Sequence, residues 1–517
     1  MDDARPASVL HLHALDRSGE DEGQFQHRVA NAISLIDAAS DLAPAHRSWL
    51  SPDAPRLAVS ADIVVIHTLS GIEIEGLIRA RRAAGRTTLY EIGDDLSSPR
   101  QWSRRNPEPP GLLTVGRQLL HASLSDAAQF TSPWLCDRYA GVHVCRGVLD
   151  NLVAFPPATA DKPDGFIVGW AGSRSHKDDL AEVAPAIMAF CGRHPDTRFA
   201  LMGDAELWPL FAALGNRFEP RPFGAYADYR IFLASLHVGL VPLKRTPFNL
   251  GRSDVKPVEM AAEGGFVLAQ DAEAYRRLGG AVELFTDAAD LEARLERLYA
   301  GRAHLPKAAR AMREAVAALR GEAAVRSQHL GWYRRWKKTT GGAASDAGVT
   351  QNPDAGSALD TAMRRARQGD PSGALDTARR LVAGDPAYVQ ARLFATKLLA
   401  RLGRTADAAA FGAPLAGCPV FSNVWLPLAS RLHGDDALRD RTNIPALRVR
   451  SHGEGAAAVA SYHREMLAAD PFHPFALAGE QRRLERLGAA AKADELRRRR
   501  LLFEAAGTKP CDGRAGP

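Results

Sequence analysis

A chain of 517 residues is longer than one compact core supports, so it should divide into two or three domains. With 46% hydrophobic and 24% charged residues it is globular, which excludes a disordered or fibrous protein. Its net charge of +6 is dispersed, and the two clear basic runs, Arg334-Arg335-Trp336-Lys337-Lys338 and Arg497 to Arg500, make no coherent face for nucleic acid. A small anion, or peripheral contact with acidic lipid, suits such a balance better.

In chain order, Ser8 to His13 reads as an opening strand, followed by a polar loop and a helix over Gln26 to Ala39. Ala61 to His67 is a buried parallel strand. A helix near Ile74 to Ala84, a strand at Thr87 to Ile92 and a βα unit from Ala128 to Leu149 follow. Residues 1–155 thus carry the alternation of a doubly wound sheet. A Pro-rich linker, Phe155 to Gly165, separates them from a second run of the same rhythm over 166–338. Its strands are expected at Phe166–Ala171, Phe199–Met202, His237–Pro242 and Gly265–Ala269. The fold class is therefore α/β, with two Rossmann-like domains and a ligand cleft between them at the C-terminal ends of the strands.

Residues 339–357 form a second linker of Gly, Ala, Ser, Thr and Asp. A protease should cut there and leave a folded fragment of about residues 1–340. Over 358–507 the strand signals vanish. Gly369 and Ala374 recur as Gly403 and Ala408, 34 residues on, and again as Gly488 and Ala493, a tetratricopeptide-like spacing of helix pairs that offers a groove to a protein partner. The five cysteines form no Cys-x-x-Cys pair, so neither a disulfide framework nor a zinc site is expected. No signal peptide or membrane-length apolar run is apparent, so a cytoplasmic location is expected.

The richest stretch runs from Val238 to Tyr275. A strand ends at Pro242, a polar loop crosses the cleft edge, and a helix begins near Ser253 with Pro257 confined to its first turn. Free N–H groups, the helix dipole, Arg252 and Lys256 converge there on a place for phosphate oxygens, and Glu259, one turn on, can accept from ribose hydroxyls. Gly172, which ends another strand, lets backbone approach a phosphate, with Ser173, His176 and Lys177 beside it. His67 stands at a strand end facing the cleft, and Asp94 and Asp95 follow the strand ending at Ile92.

Phe248, Asn249, Arg252, Ser253, Lys256 and Glu259 resemble the Phe-Asn-x-x-Lys-Ser-x-x-Lys-x-x-Glu run of bacterial retaining glycosyltransferases of the GT-B kind, the large family 4 group of polysaccharide sugar transferases. Gly172-Ser-Arg-Ser-His-Lys-Asp-Asp-Leu180 is similar to the segment opening their donor domain. Tyr90-Glu-Ile-Gly-Asp-Asp-Leu96 is similar to their Asp-Asp-Asp-Leu strand end, with Gly93 in place of one Asp. The resemblance implies that Lys256, Arg252 and His67 are catalytic. It places Asn249 and Ser253 with Gly172, Ser173, His176, Lys177 and Glu259 on the donor, and Asp94 and Asp95 on the acceptor side.

It also implies no cofactor, no metal, a nucleotide-diphosphate sugar as donor, and a glycan, lipid-linked or protein acceptor. The second Glu of the wider family falls at Gly251, which leaves the sugar contact unassigned. Two other readings therefore stay open. One is a catalytically silent scaffold that holds a nucleotide sugar. The other is a transferase acting on proteins held by its repeats.

Overall fold

The computed structural model describes residues 5–14, 22–37, 39, 41–97, 112–157, 162–337, 353–421, 424–425, 428–429, 432 and 456–502. Most of the second linker, and the degenerate stretch of the helical tail beyond 432 up to 455, lie outside the described residues.

Two six-stranded parallel sheets form the first two domains. The first holds β1 (Ala7–His13), β2 (Leu42–Ser48), β3 (Ile63–His67), β4 (Thr87–Ile92), β5 (Ala127–Phe130) and β6 (Arg146–Val148), in the order β2-β1-β3-β4-β5-β6. Strand β2 has no alternating pattern and contains Pro44, which lacks an N–H. Proline is tolerated because β2 is an edge strand, and the same features hide it from sequence reading. The second sheet holds β7 (Phe166–Gly172), β8 (Thr197–Gly203), β9 (Phe218–Arg221), β10 (Val238–Val241), β11 (Phe266–Gln270) and β12 (Glu283–Phe285), in the order β12-β11-β10-β7-β8-β9. Numbered within their own domain these strands run 6-5-4-1-2-3, the dinucleotide-fold order, and its reversal between β7 and β10 is where such sheets bind ligands. The expected fold class is observed.

The helix Glu322–Trp336 returns to the first domain. Trp332 and Tyr333 are buried against Val9, Ile63, Leu89 and Leu149, and Trp332 Nε1 donates to Gln129 Oε1 at 3.2 Å. In the basic run, Arg334 forks onto Asp41 at 2.8 and 3.1 Å, so this charge secures a domain contact.

In the tail, three helix pairs (Pro353–Arg367 with Pro371–Gly384, Val389–Arg401 with Thr405–Gly412, Pro474–Arg486 with Ala490–Leu501) realise the Gly…Ala spacing. Gly369, Gly403 and Gly488 take left-handed conformations at the turns, and Ala374, Ala408 and Ala493 are buried where the paired helices meet.

The tail does not stand apart from the first domain. Phe421, Trp425, Phe472 and Leu477 share one buried cluster with Trp49, Ile74, Leu77 and Leu119. Phe421 stacks on Trp49 with ring centroids 5.9 Å apart, and Gln390 Nε2 donates to the Trp49 and Ser51 carbonyls, each at 2.8 Å. No helix among the described residues is long and apolar enough to cross a membrane.

Candidate functional site

The C-terminal edges of the two sheets face each other. Across the gap Ser132 Oγ donates to the Gly251 carbonyl at 3.1 Å, and Asn151 Nδ2 donates to Ser253 Oγ at 3.0 Å. Ser253 is therefore engaged by the opposite domain.

Lys256 lies on the helix Val255–Ala262, which begins where the sequence places it, with Pro257 in the first turn. The helix start is fixed from behind: Arg320 donates to the buried Asp254 at 2.9 and 3.0 Å. Lys256 Nζ donates to the Ala171 carbonyl at 3.1 Å and sits 5.1 Å from the centre of the Trp170 ring. It rests over Gly172, where an added Cβ would come within 2.6 Å of Nζ and of the Trp170 ring. Gly172 ends β7 and the Lys256 helix follows β10, so ammonium and glycine meet at the reversal of strand order. Burial and the neighbouring Arg252 lower the Lys256 pKa to about 8. An anion arriving there would favour its charged form.

Asp179 ties the surrounding loops together. It accepts from His176 Nδ1 at 2.7 Å, from the Lys244 N–H at 2.9 Å and from Asn249 Nδ2 at 3.0 Å. Asn249 is thus a loop brace. Burial, followed by the charge of Lys256, depresses the His176 pKa to about 3. His176 is therefore neutral with its hydrogen on Nδ1, and its Nε2 carries a lone pair. Neutral, Nε2 only accepts, and an arriving anion would favour the charged, donating form of this ring as it would for Lys256. Ser173 Oγ lies 2.6 Å from Ser175 Oγ, and Lys177 is exposed at the start of the helix Lys177–Arg193.

A histidine kept neutral stabilises the fold above its ordinary pKa, and that stability is lost as pH falls toward the depressed value. Stability should decline as pH falls from about 6.5 toward 3, and His176→Gln should flatten this by up to about 1.4 kcal/mol per pH unit. Urea unfolding of both proteins at pH 7, 6 and 5 checks it.

Glu259 departs from the open-cleft expectation. It is only 2% exposed, with Tyr226 and Tyr229 donating to it at 2.9 and 2.8 Å and His27 Nε2 at 3.3 Å from Oε1. Burial pushes its carboxyl up, but His27 and the two tyrosines outweigh this and leave it below the usual range. A ribose would have to replace one of these partners.

On the first domain, His67 is buried under the cleft floor, and this corrects its expected contact with substrate. Its Nδ1 faces Glu91 Oε1 at 3.0 Å and its Nε2 faces His11 Nδ1 at 3.0 Å. Burial raises the Glu91 carboxyl, but His67, Arg28 and Gln129 bring it down to about 2. Ionised Glu91 can only accept, so His67 donates to it from Nδ1.

Asp95 is buried too, accepting from Tyr139 Oη and from Ser97 Oγ at 3.0 Å, so it shapes the loop and does not face an acceptor. Asp94 does reach the cleft, 3.6 Å from Arg252 and 3.9 Å from Arg28. No group of three His, Cys, Asp or Glu among the described residues is placed to hold a metal ion. Arg28, His27, Tyr226 and Tyr229 escaped the sequence reading because each acts through a contact with a distant segment. Asp179 was legible within the Gly172–Leu180 segment.

Among solved structures the chain is similar to HepE from Anabaena in complex with UDP-glucose (14% identity, TM-score 0.48, covering 63% of this chain and 99% of that one). It is also similar to a glycosyltransferase from Rickettsia africae (13%, 0.46, 65% and 100%). A third is a UDP-forming α,α-trehalose-phosphate synthase from Burkholderia vietnamiensis (12%, 0.45, 67% and 99%). No family model and no curated protein sequence matches the chain.

Proposed function

We propose that the protein transfers a glycosyl unit from a nucleotide-diphosphate sugar to an acceptor hydroxyl, with the donor diphosphate at Lys256. The observation that carries this is the Lys256 ammonium over side-chain-free Gly172 at the reversal of strand order in the second sheet. A cation held there against a carbonyl and an aromatic face gains a stronger partner when an oxyanion enters. It stabilises the leaving diphosphate as charge develops on it. Retention at the anomeric carbon follows from the sequence resemblance. Polysaccharide synthesis in the cytoplasm, with a glycan or lipid-linked acceptor, is the setting proposed for it.

The proposal assigns the leaving-group role to protein cations, so turnover should not need a metal. Incubating the protein with a panel of nucleotide sugars and glycan acceptors, with and without excess chelator, tests both parts. Expected is release of a nucleoside diphosphate that chelator leaves within about twofold. Loss that magnesium or manganese restores would move the chemistry to Asp94. Gly251, which stands where the resembled family carries the Glu that touches the donor sugar, favours a second reading, in which a nucleotide sugar is held without transfer. Donor binding without turnover on any acceptor of the panel would select it.

A further inference from the structure

A side chain at position 93 would take the space that the Arg28 guanidinium occupies. Gly93 is not among the glycines with positive φ, so its backbone would accept other residues, but a Cβ there would coincide with the Arg28 guanidinium. Arg28 comes from the wide π-turn Gln26–Ala30, in which its neighbour His27 reaches Glu259 of the second domain. Such turns recur at functional sites. From below, Arg28 is steadied by Glu91 at 3.4 Å, itself held by His67 at 3.0 Å and by Gln129 at 2.8 Å.

The other side of Arg28 faces the gap. Asp94 stands between Arg28, 3.9 Å away, and Arg252 of the opposite domain, 3.6 Å away. Both separations exceed the roughly 2.7–3.2 Å of a hydrogen bond, so these are ion pairs without direct N–H···O bonding. Arg252 Nε is buried without a hydrogen-bond partner among the described residues, and the guanidinium lies 4.4 Å from the Phe248 ring centre. Two guanidiniums from opposite domains therefore face one gap with donors to spare, and one carboxylate between them. The planar fork of a guanidinium matches a phosphate oxygen pair.

We infer that Arg28 and Arg252 form a cross-domain site for a phosphate-type oxyanion, and that Gly93 is vacant so that Arg28 can reach it. Its place beside Lys256 rests on the proposed donor site. The oxyanion belongs either to the donor diphosphate or to a phosphate on the acceptor. Asp94 competes with it for both arginines.

Calorimetric titration of the full chain with pyrophosphate tests this. Arg28→Gln should weaken binding at least tenfold, Gly93→Ala should do the same by displacing Arg28, and Asp94→Asn should tighten it severalfold. Melting temperatures identify any variant that fails to fold. Arg28→Lys, which keeps the charge toward Glu91 and loses the fork, then decides by the same titration.

A parent that binds no pyrophosphate, or an Arg28→Gln protein that binds it equally, overturns the inference. UDP affinity that falls in step with pyrophosphate assigns the oxyanion to the donor. Inorganic phosphate that binds on top of saturating UDP, and is lost in Arg28→Gln, assigns it to the acceptor. Failure of the donor-site reading alone would show differently: Lys256→Ala would leave UDP affinity unchanged while the Arg28 effect on pyrophosphate persists.

Discussion

A chain ended after Lys337 is expected to be insoluble, or to bind a hydrophobic dye and melt without a cooperative transition. The turn Pro419–Phe421 packs on the helix Ile72–Ala83, and the helix Pro474–Arg486 packs on Leu112–Leu124. Removing the tail would bare Trp49, which is 5% exposed in the full chain, together with the outer faces of those two helices. Each large apolar side chain returned to water costs about 1.5–3 kcal/mol, so a few of them approach the roughly 5–15 kcal/mol that holds a typical domain folded. The carbonyls of Trp49 and Ser51 would also lose Gln390. Size-exclusion chromatography and thermal melting of the truncated protein check this. A monomer that melts like the full chain would mean that the shared cluster contributes little.

Replacing Lys256 by Ala should lower turnover by roughly ten- to a thousandfold, because the ammonium is worth most as the diphosphate departs. Thermal stability should hold or rise slightly, since burial and Arg252 already disfavour the charge at that place. With a folded-state pKa of about 8, the ammonium is lost as pH rises through that value, so donor affinity should fall progressively above pH 8 in the parent and not in the variant. A kinetic comparison at pH 7 and 9 reads both effects. Equal turnover in parent and variant would place the leaving-group cation elsewhere.

The two Rossmann-like sheets were legible because buried parallel strands leave continuous apolar runs. Thr87–Ile92 is found at its expected bounds, and Phe166–Gly172 within one residue. The missed strands were those without such runs: β2 with its proline, β9 with exposed Pro220 and Arg221, and the three-residue β6 and β12. At the site, the start of the Lys256 helix was legible from Pro257, since proline has few places in a helix. What contacts Glu259 was not. Tyr226 and Tyr229 lie 33 and 30 residues before it, His27 lies in the other domain, and spacing along the chain carries no trace of either contact. His67 misled for a related reason. The end of a strand marks the cleft edge, but only the fold shows that Glu91 and His11 turn the ring below it. The tail's union with the first domain likewise depends on Phe421 meeting Trp49, more than 370 residues apart in the chain.

The most direct test of the donor site is a titration of nucleoside diphosphates and their parent nucleosides into the full-length protein and its Lys256→Ala variant, followed by calorimetry at pH 7. A diphosphate should bind the parent at least tenfold more tightly than its nucleoside, and most of that difference should vanish in the variant. A parent that binds no nucleoside diphosphate, or a variant that binds one as tightly as the parent, would contradict a diphosphate site at Lys256.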